Sequence, residues 1–390
     1  MYPKIPKSEF TERISKARKL MELQGIDLLF TFGNEMEPQY QKYFSDFWPS
    51  FETAAVLISC HGGAVLLVGP ESRRRAYECG MIEDVRSMNA FRESASPVYY
   101  SAELTSFDDV IEDITGGRHP KKVSIAGSRL LPFDIFTEFA QSLKKYGNVE
   151  IIDDNITDTL RMNKSENEIA CIRHACDISH QTMQYLLSHI HEGMTELNIK
   201  GLALSKMHEL GAEGEAYPMW ILSGPGSNFA IGRARQKAVL QGELIQLQIG
   251  ARYEGYASSI ARPVILGRPE QWMKDSILAL YEGYDAVLPA LTDGNSAGNA
   301  ALQFAGAMKE NGYYSQLLYG PCHGLGIAEC EAPWVEESAG FTLKKGMTFG
   351  LDLYIENKDK KYGIRVEDSI CITEGAPLNM TDFPREIFVL

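Results

Sequence analysis

Apolar positions in the first part of the chain follow two periods. Over residues 9–24 the spacing is helical, and short apolar runs follow at 26–30, 54–58 and 64–68. Runs of that length between polar segments predict buried strands, and their alternation with helices predicts an α/β unit around a largely buried sheet. A further strand is expected at 122–126, a helix at 133–145, and a closing strand at 149–153.

The pattern then changes. Ser165 and Glu168 have capping-box spacing, and Ile169, Ile172, Ala175, Cys176 and Ile178 recur behind them at helical intervals. A second helix is expected after Gly193, with Thr195 as N-cap and an end at Gly211. Residues 243–266 read as strands, 269–312 as helices, and 346–373 as strands with a turn at Lys361-Tyr362-Gly363. Two domains are expected, an α/β domain over 1–157 and an α+β domain over 158–390, in keeping with a chain of 390 residues.

Composition narrows the partners. A formal net charge of -14 disfavours nucleic acid and anionic membranes, whose binding rests on basic surface. No apolar run is long enough to span a bilayer. Met1-Tyr2-Pro3-Lys4-Ile5-Pro6-Lys7 has positive charge but no apolar stretch behind it, so a cytoplasmic location is expected. Seven scattered cysteines show no disulfide framework and read as reduced thiols.

The chemistry-bearing residues lie in the second domain. His323 sits among glycines in Gly320-Pro321-Cys322-His323-Gly324-Leu325-Gly326, where small neighbours let a ligand approach the backbone. Asp352 follows the apolar run Met347-Thr348-Phe349-Gly350-Leu351, and Glu367 lies in the alternating Gly363-Ile364-Arg365-Val366-Glu367-Asp368. These groups suit hydrolysis of a C–N bond, which needs either a Lewis acid or preset acid and base groups. Cys171, His174 and Cys176 do not make a metal site, because on a helix His174 and Cys176 point about 200° apart. Aromatic residues at 34–48, in an expected loop, and Tyr217 and Trp220 could wall a pocket for a planar or cationic ligand.

Together these segments resemble the pita-bread fold family of methionine aminopeptidase, Xaa-Pro aminopeptidase, prolidase and creatinase. The resemblance runs from about Leu160 to the end. It is carried also by Arg161-Met162-Asn163-Lys164-Ser165, by Ile249-Gly250-Ala251-Arg252-Tyr253-Glu254-Gly255-Tyr256, by Glu331-Ala332-Pro333 and by Gly346-Met347-Thr348-Phe349. It implies an α/β N-terminal domain ahead of an α+β pita-bread domain, and a homodimer. Metal-dependent members hold two divalent ions on two aspartates, one histidine and two glutamates. The matching positions here are Gln248, Ser259, His323, Asp352 and Glu367, and the family's second histidine falls on Cys330.

Because an amide and a hydroxyl cannot replace bridging carboxylates, the leading expectation is a creatinase-like, metal-independent hydrolase of a small amide, amidine or lactam. In that reading no cofactor is used. His323, Glu367 and Asp352 are catalytic, and Gln248, Ser259, Cys330, Tyr217 and Trp220 contact a small-molecule or short peptide substrate. One alternative is an Xaa-Pro peptidase-like enzyme with a single divalent metal on His323, Asp352 and Glu367. The other is a catalytically silent binding protein.

Overall fold

The structure, a computed structural model, describes residues 2–390. The chain forms two compact units, one of Ile5–Arg161 and one of Met162–Leu390 joined by the N-terminal residues up to Lys4.

The N-terminal unit is built on a six-stranded mixed sheet. Its strands are β1 (Leu28–Gly33), β2 (Ala54–Ser59), β3 (Ala64–Val68), β4 (Val85–Ser87), β5 (Lys122–Ala126) and β6 (Glu150–Asp153), in the order β4-β3-β2-β1-β5-β6. Helix α1 (Lys7–Gln24) ends on Gly25, whose φ of 65° closes it with a left-handed cap. That cap and the turn behind it start β1 two residues later than the apolar run suggests. Phe30, Phe107 and Phe139 meet at the centre of this core. The aromatic segment expected as a loop contains a short helix, α2 (Gln39–Ser45), because Tyr43 and Phe44 turn inward and are buried. Helices α3 (Arg73–Cys79), α4 (Phe107–Thr115), α5 (Phe133–Leu143) and α6 (Ile156–Met162) complete the unit, the last reaching its boundary.

In the second unit α7 (Glu166–Leu187) and α8 (Glu196–Glu209) start where their caps predict. Ser165 accepts from the Glu168 amide, and Thr195 from that of Asn198. A small sheet joins β7 (Gly214–Glu215), β10 (Ala251–Tyr253) and β11 (Tyr256–Ala257). The large sheet holds β8 (Trp220–Ser223), β9 (Leu244–Ile249), β12 (Ile260–Ile265), β13 (Cys322–Gly324), β14 (Glu331–Val335), β15 (Thr348–Asn357) and β16 (Tyr362–Cys371), in the order β14-β13-β15-β16-β12-β9-β8. Two short strands, β17 (Leu378–Asn379) and β18 (Phe388–Val389), join it at β16 and β12. Helices α9 (Gln271–Val287) and α10 (Ala297–Glu310) fill the segment expected to be helical.

One hairpin sets the chemistry. Strands β15 and β16 pair without a bulge over ten residues, and Asp352 stands opposite Glu367. Side chains alternate along each strand, so Leu351, Leu353, Ile355, Ile364 and Val366 enter a core shared with Ile277, Leu280, Tyr284 and Phe304 from the two helices. Asp352, Tyr354, Arg365 and Glu367 therefore face the other side.

The hairpin is locked to β12 by Arg262, a fully buried residue. Its guanidinium holds Asp368 through contacts of 2.9 and 3.1 Å and donates to the Glu367 carbonyl at 2.8 Å and the Phe383 carbonyl at 2.7 Å. Removing one member of such a pair leaves a buried charge uncompensated. Arg262→Met is therefore expected to lower unfolding free energy by about 3–5 kcal/mol, measured by urea denaturation. A loss below 1 kcal/mol would show that the pair does not hold the hairpin. No described helix is long and apolar enough to cross a membrane.

Candidate functional site

Glu367 is fully buried and its two carboxylate oxygens have different surroundings. Oε2 accepts from Gln248 Nε2 at 2.7 Å and from Ser259 Oγ at 2.7 Å. Oε1 has no hydrogen-bond partner among the described residues and lies 3.8 Å from His323 Nε2. Glu329 Oε1 approaches the same ring nitrogen, also at 3.8 Å.

His323 presents a lone pair to these carboxylates. Its Nδ1 lies 3.0 Å from the Gly324 carbonyl, which can only accept, so Nδ1 carries the hydrogen and Nε2 is left free in the neutral ring. One ligand atom from each of His323, Glu329 and Glu367 falls within 4.8 Å of the other two. The space before them depends on Gly350. A Cβ there would stand 2.7 Å from His323 Cε1, 2.8 Å from Glu367 Oε1 and 2.9 Å from His323 Nε2.

Crowded acceptors perturb one another. Burial, then Asp352 and Glu329, push the Glu367 carboxyl well above the usual carboxylate range. Burial also raises Glu329, against the influence of His323. For His323 burial acts downward, yet Glu329, Cys330 and Glu367 outweigh it and hold the imidazole well above its ordinary value. Without another cation, protons relieve this cluster.

Arg365 organises the other side of the site. Its guanidinium donates to Gln248 Oε1 at 2.5 Å and to the Tyr319 hydroxyl and Ala230 carbonyl at 2.7 Å. It lies 3.4 Å from Asp352 Oδ1 and stacks with Trp220 and Tyr354. Asp352 also accepts from Tyr319 at 2.8 Å. The Tyr217 hydroxyl lies 2.9 Å from Ser259 Oγ, and burial keeps that phenol protonated.

The sequence-derived residues thus divide. His323 and Glu367 come together, with Gln248 and Ser259 on the far oxygen of Glu367, Tyr217 behind Ser259 and Trp220 against Arg365. Asp352 instead pairs with Arg365 and Tyr319, and the geometry puts Glu329 in the ligand cluster. Glu329 was missed because it lies in the irregular stretch between β13 and β14, where no strand or helix period tells which way a side chain faces. Its neighbour Glu331 is taken by Lys164 at 2.7 Å, both nearly fully buried. Cys330 is exposed.

A mixed-sheet α/β unit ahead of a sheet-and-helix unit carrying buried carboxylates around one histidine defines a two-domain hydrolase of the pita-bread class, acting on C–N bonds. The chain belongs to metallopeptidase family M24, which it matches over residues 170–374, and residues 13–163 match the creatinase/prolidase N-terminal domain. It is 26% identical over 381 residues to an Xaa-Pro dipeptidase from Pyrococcus furiosus, covering 96% of this chain and 99% of the relative. A second Xaa-Pro dipeptidase, from Pyrococcus horikoshii, is 28% identical over 84% of this chain and 88% of its own length. Among solved structures, the prolidase from Pyrococcus horikoshii superposes with a TM-score of 0.81 at 25% identity, covering 97% of this chain and 100% of the other. The X-Pro aminopeptidase from Thermotoga maritima gives 0.81 and 25%, with 97% and 99% covered.

These findings correct the expectation that no cofactor is used: the family is one of metallopeptidases, and the site gathers one potential ligand atom from each of three residues. In the geometry, Glu329 rather than Asp352 groups with His323 and Glu367. Nitrogen and oxygen ligands about 2.1 Å from one ion lie about 3–4 Å apart, so the two 3.8 Å separations suit a shared divalent ion. A pair of ions does not fit these residues, because Gln248 and Ser259 bring no charge and donate to the oxygen that a bridge would need.

Gly350→Ala tests the cradle. Its methyl would intrude between His323 and Glu367, and divalent-ion affinity is expected to fall at least tenfold, with a loss of about 1–3 kcal/mol in stability from overpacking and a transition that stays cooperative. Isothermal titration with Mn²⁺ reads the affinity, and unchanged binding contradicts the geometry.

Proposed function

We propose that the chain hydrolyses the peptide bond of short Xaa-Pro substrates, using one divalent ion held by His323, Glu329 and Glu367. The observation that carries this reading is the convergence of one potential ligand atom from each of His323, Glu329 and Glu367, in a chain whose relatives include Xaa-Pro dipeptidases. A bound divalent ion would polarise the scissile carbonyl and favour attack by water. The chain's own residues prepare that site. Gly324 fixes the His323 tautomer, Gln248 and Ser259 hold Glu367 from behind, and Arg365 with Tyr319 contacts Asp352 on the other side.

The aromatic wall supports a compact, partly apolar substrate. Trp334 packs 5.5 Å from the His323 ring and 5.6 Å from Tyr319, and Trp220 lies 5.2 Å from Tyr217, aromatic surroundings that suit a proline ring. Tyr217, Trp220, Gln248 and Ser259 are assigned here as residues that shape the pocket or support it, and Cys330 as a residue of its rim. We further infer a cytoplasmic homodimer, a reading supported by the family resemblance.

Hydrolysis of a panel of Xaa-Pro and Xaa-Ala dipeptides, followed by release of free amino acid, tests the assignment. Xaa-Pro turnover is expected to exceed Xaa-Ala turnover, to vanish with chelator and to return with Mn²⁺ or Co²⁺. His323→Ala is expected to lower kcat/KM at least about 100-fold. Chelator-resistant turnover, or absence of any Xaa-Pro cleavage by metal-loaded protein, sinks the proposal.

A further inference from the structure

We propose that the centre is mononuclear by construction: Gln248 and Ser259 are held as hydrogen-bond donors that cap one oxygen of Glu367, and Glu329 completes a site for a single ion on the other oxygen. This deepens the function proposed above and rests on its metal site, but it does not depend on which substrate is cleaved.

The orientation of each donor is fixed by a third residue. A guanidinium can only donate, so Arg365 Nη1, at 2.5 Å, requires the oxygen of the Gln248 amide to face it. The NH₂ group is thereby turned onto Glu367 Oε2. The one Gln248 atom able to bind a cation is already engaged. Ser259 is set in the same way. Its hydroxyl has one hydrogen, which goes to Glu367 Oε2 at 2.7 Å, so the Tyr217 hydroxyl behind it must donate to Ser259 Oγ. Arg365 and Tyr217 are therefore positioning residues, acting on the metal site through Gln248 and Ser259.

Charge agrees with this count. Glu329, Glu367 and Asp352 bring three carboxylates and Arg365 one permanent cation, leaving two negative charges for one divalent ion to neutralise. A second ion would leave an excess of positive charge in a buried site. It would also have to displace two neutral donors from Oε2, whereas Oε1 lies without a hydrogen-bond partner among the described residues, in the notch left by Gly350. Asp352 lies outside this three-residue ligand group, its Oδ2 accepting from Tyr319 and its Oδ1 3.4 Å from Arg365 Nε.

Metal counting on the full-length protein tests this without reference to turnover. Chelator-stripped protein is titrated with Mn²⁺ and bound ion is followed by calorimetry and electron paramagnetic resonance. Saturation at one ion per chain is expected, with the spectrum of an isolated ion. Glu329→Gln is expected to weaken binding at least 30-fold and Asp352→Asn less than fivefold, both variants being checked for a cooperative unfolding transition. Two ions per chain with an exchange-coupled spectrum, or no binding, overturns the proposal whatever the variants do. So does a wild-type site whose single ion is lost in Asp352→Asn and kept in Glu329→Gln. Single-ion binding by protein that cleaves no Xaa-Pro peptide would leave this inference standing and remove the substrate assignment.

Discussion

The unequal surroundings of the two Glu367 oxygens are the constraint on which the site depends. A buried carboxylate is costly unless its lone pairs are satisfied, and a hydrogen bond to a charged group returns about 1.5–3 kcal/mol. Gln248 and Ser259 supply two such bonds to Oε2, which lets Glu367 remain at the centre of the sheet. Neither reaches Oε1. That oxygen, His323 Nε2 and the Glu329 carboxylate are left facing one another, an arrangement that a proton or a divalent cation would satisfy. Arg365 and Tyr217 matter because they decide which atoms of Gln248 and Ser259 point at Glu367.

The same chemistry has opposite outcomes in adjacent residues. Asp368 follows Glu367 on β16, but strand alternation sends it to Arg262, where both carboxylate oxygens are paired and Thr381 adds a third bond. Glu331 lies two residues beyond Glu329 and is held by Lys164. In each pair the carboxylate held by a buried cation ties strands or segments together and the other faces the histidine. The scaffold bears the under-partnered residues because the other face of the β15–β16 hairpin is packed against two helices by continuous apolar side chains.

Much of this was legible in the chain. Capping residues Ser165 and Thr195 marked helix starts, period-two alternation marked the strand that carries Glu367, and the glycines around His323 marked a tight approach. The family resemblance, carried by those segments, gave the fold and the class of chemistry. What could not be read was the partner of each polar group. Asp352 was expected to work beside His323, and its contact with Arg365, a residue on the neighbouring strand, depends on register. Glu329 gave no periodic signal because the stretch that carries it is irregular. The loss of two aspartates suggested that metal had been abandoned, an inference from a ligand set counted by position; counted by geometry, the site regains one carboxylate.

The most direct test of this account is a crystal structure of the protein soaked with Mn²⁺, with the ions located by anomalous scattering. The account predicts one anomalous peak per chain, bounded by His323 Nε2, Glu329 and Glu367 Oε1, with Gln248 and Ser259 still bonded to Glu367 Oε2. Two peaks, or one peak ligated by Asp352 in place of Glu329, would contradict it.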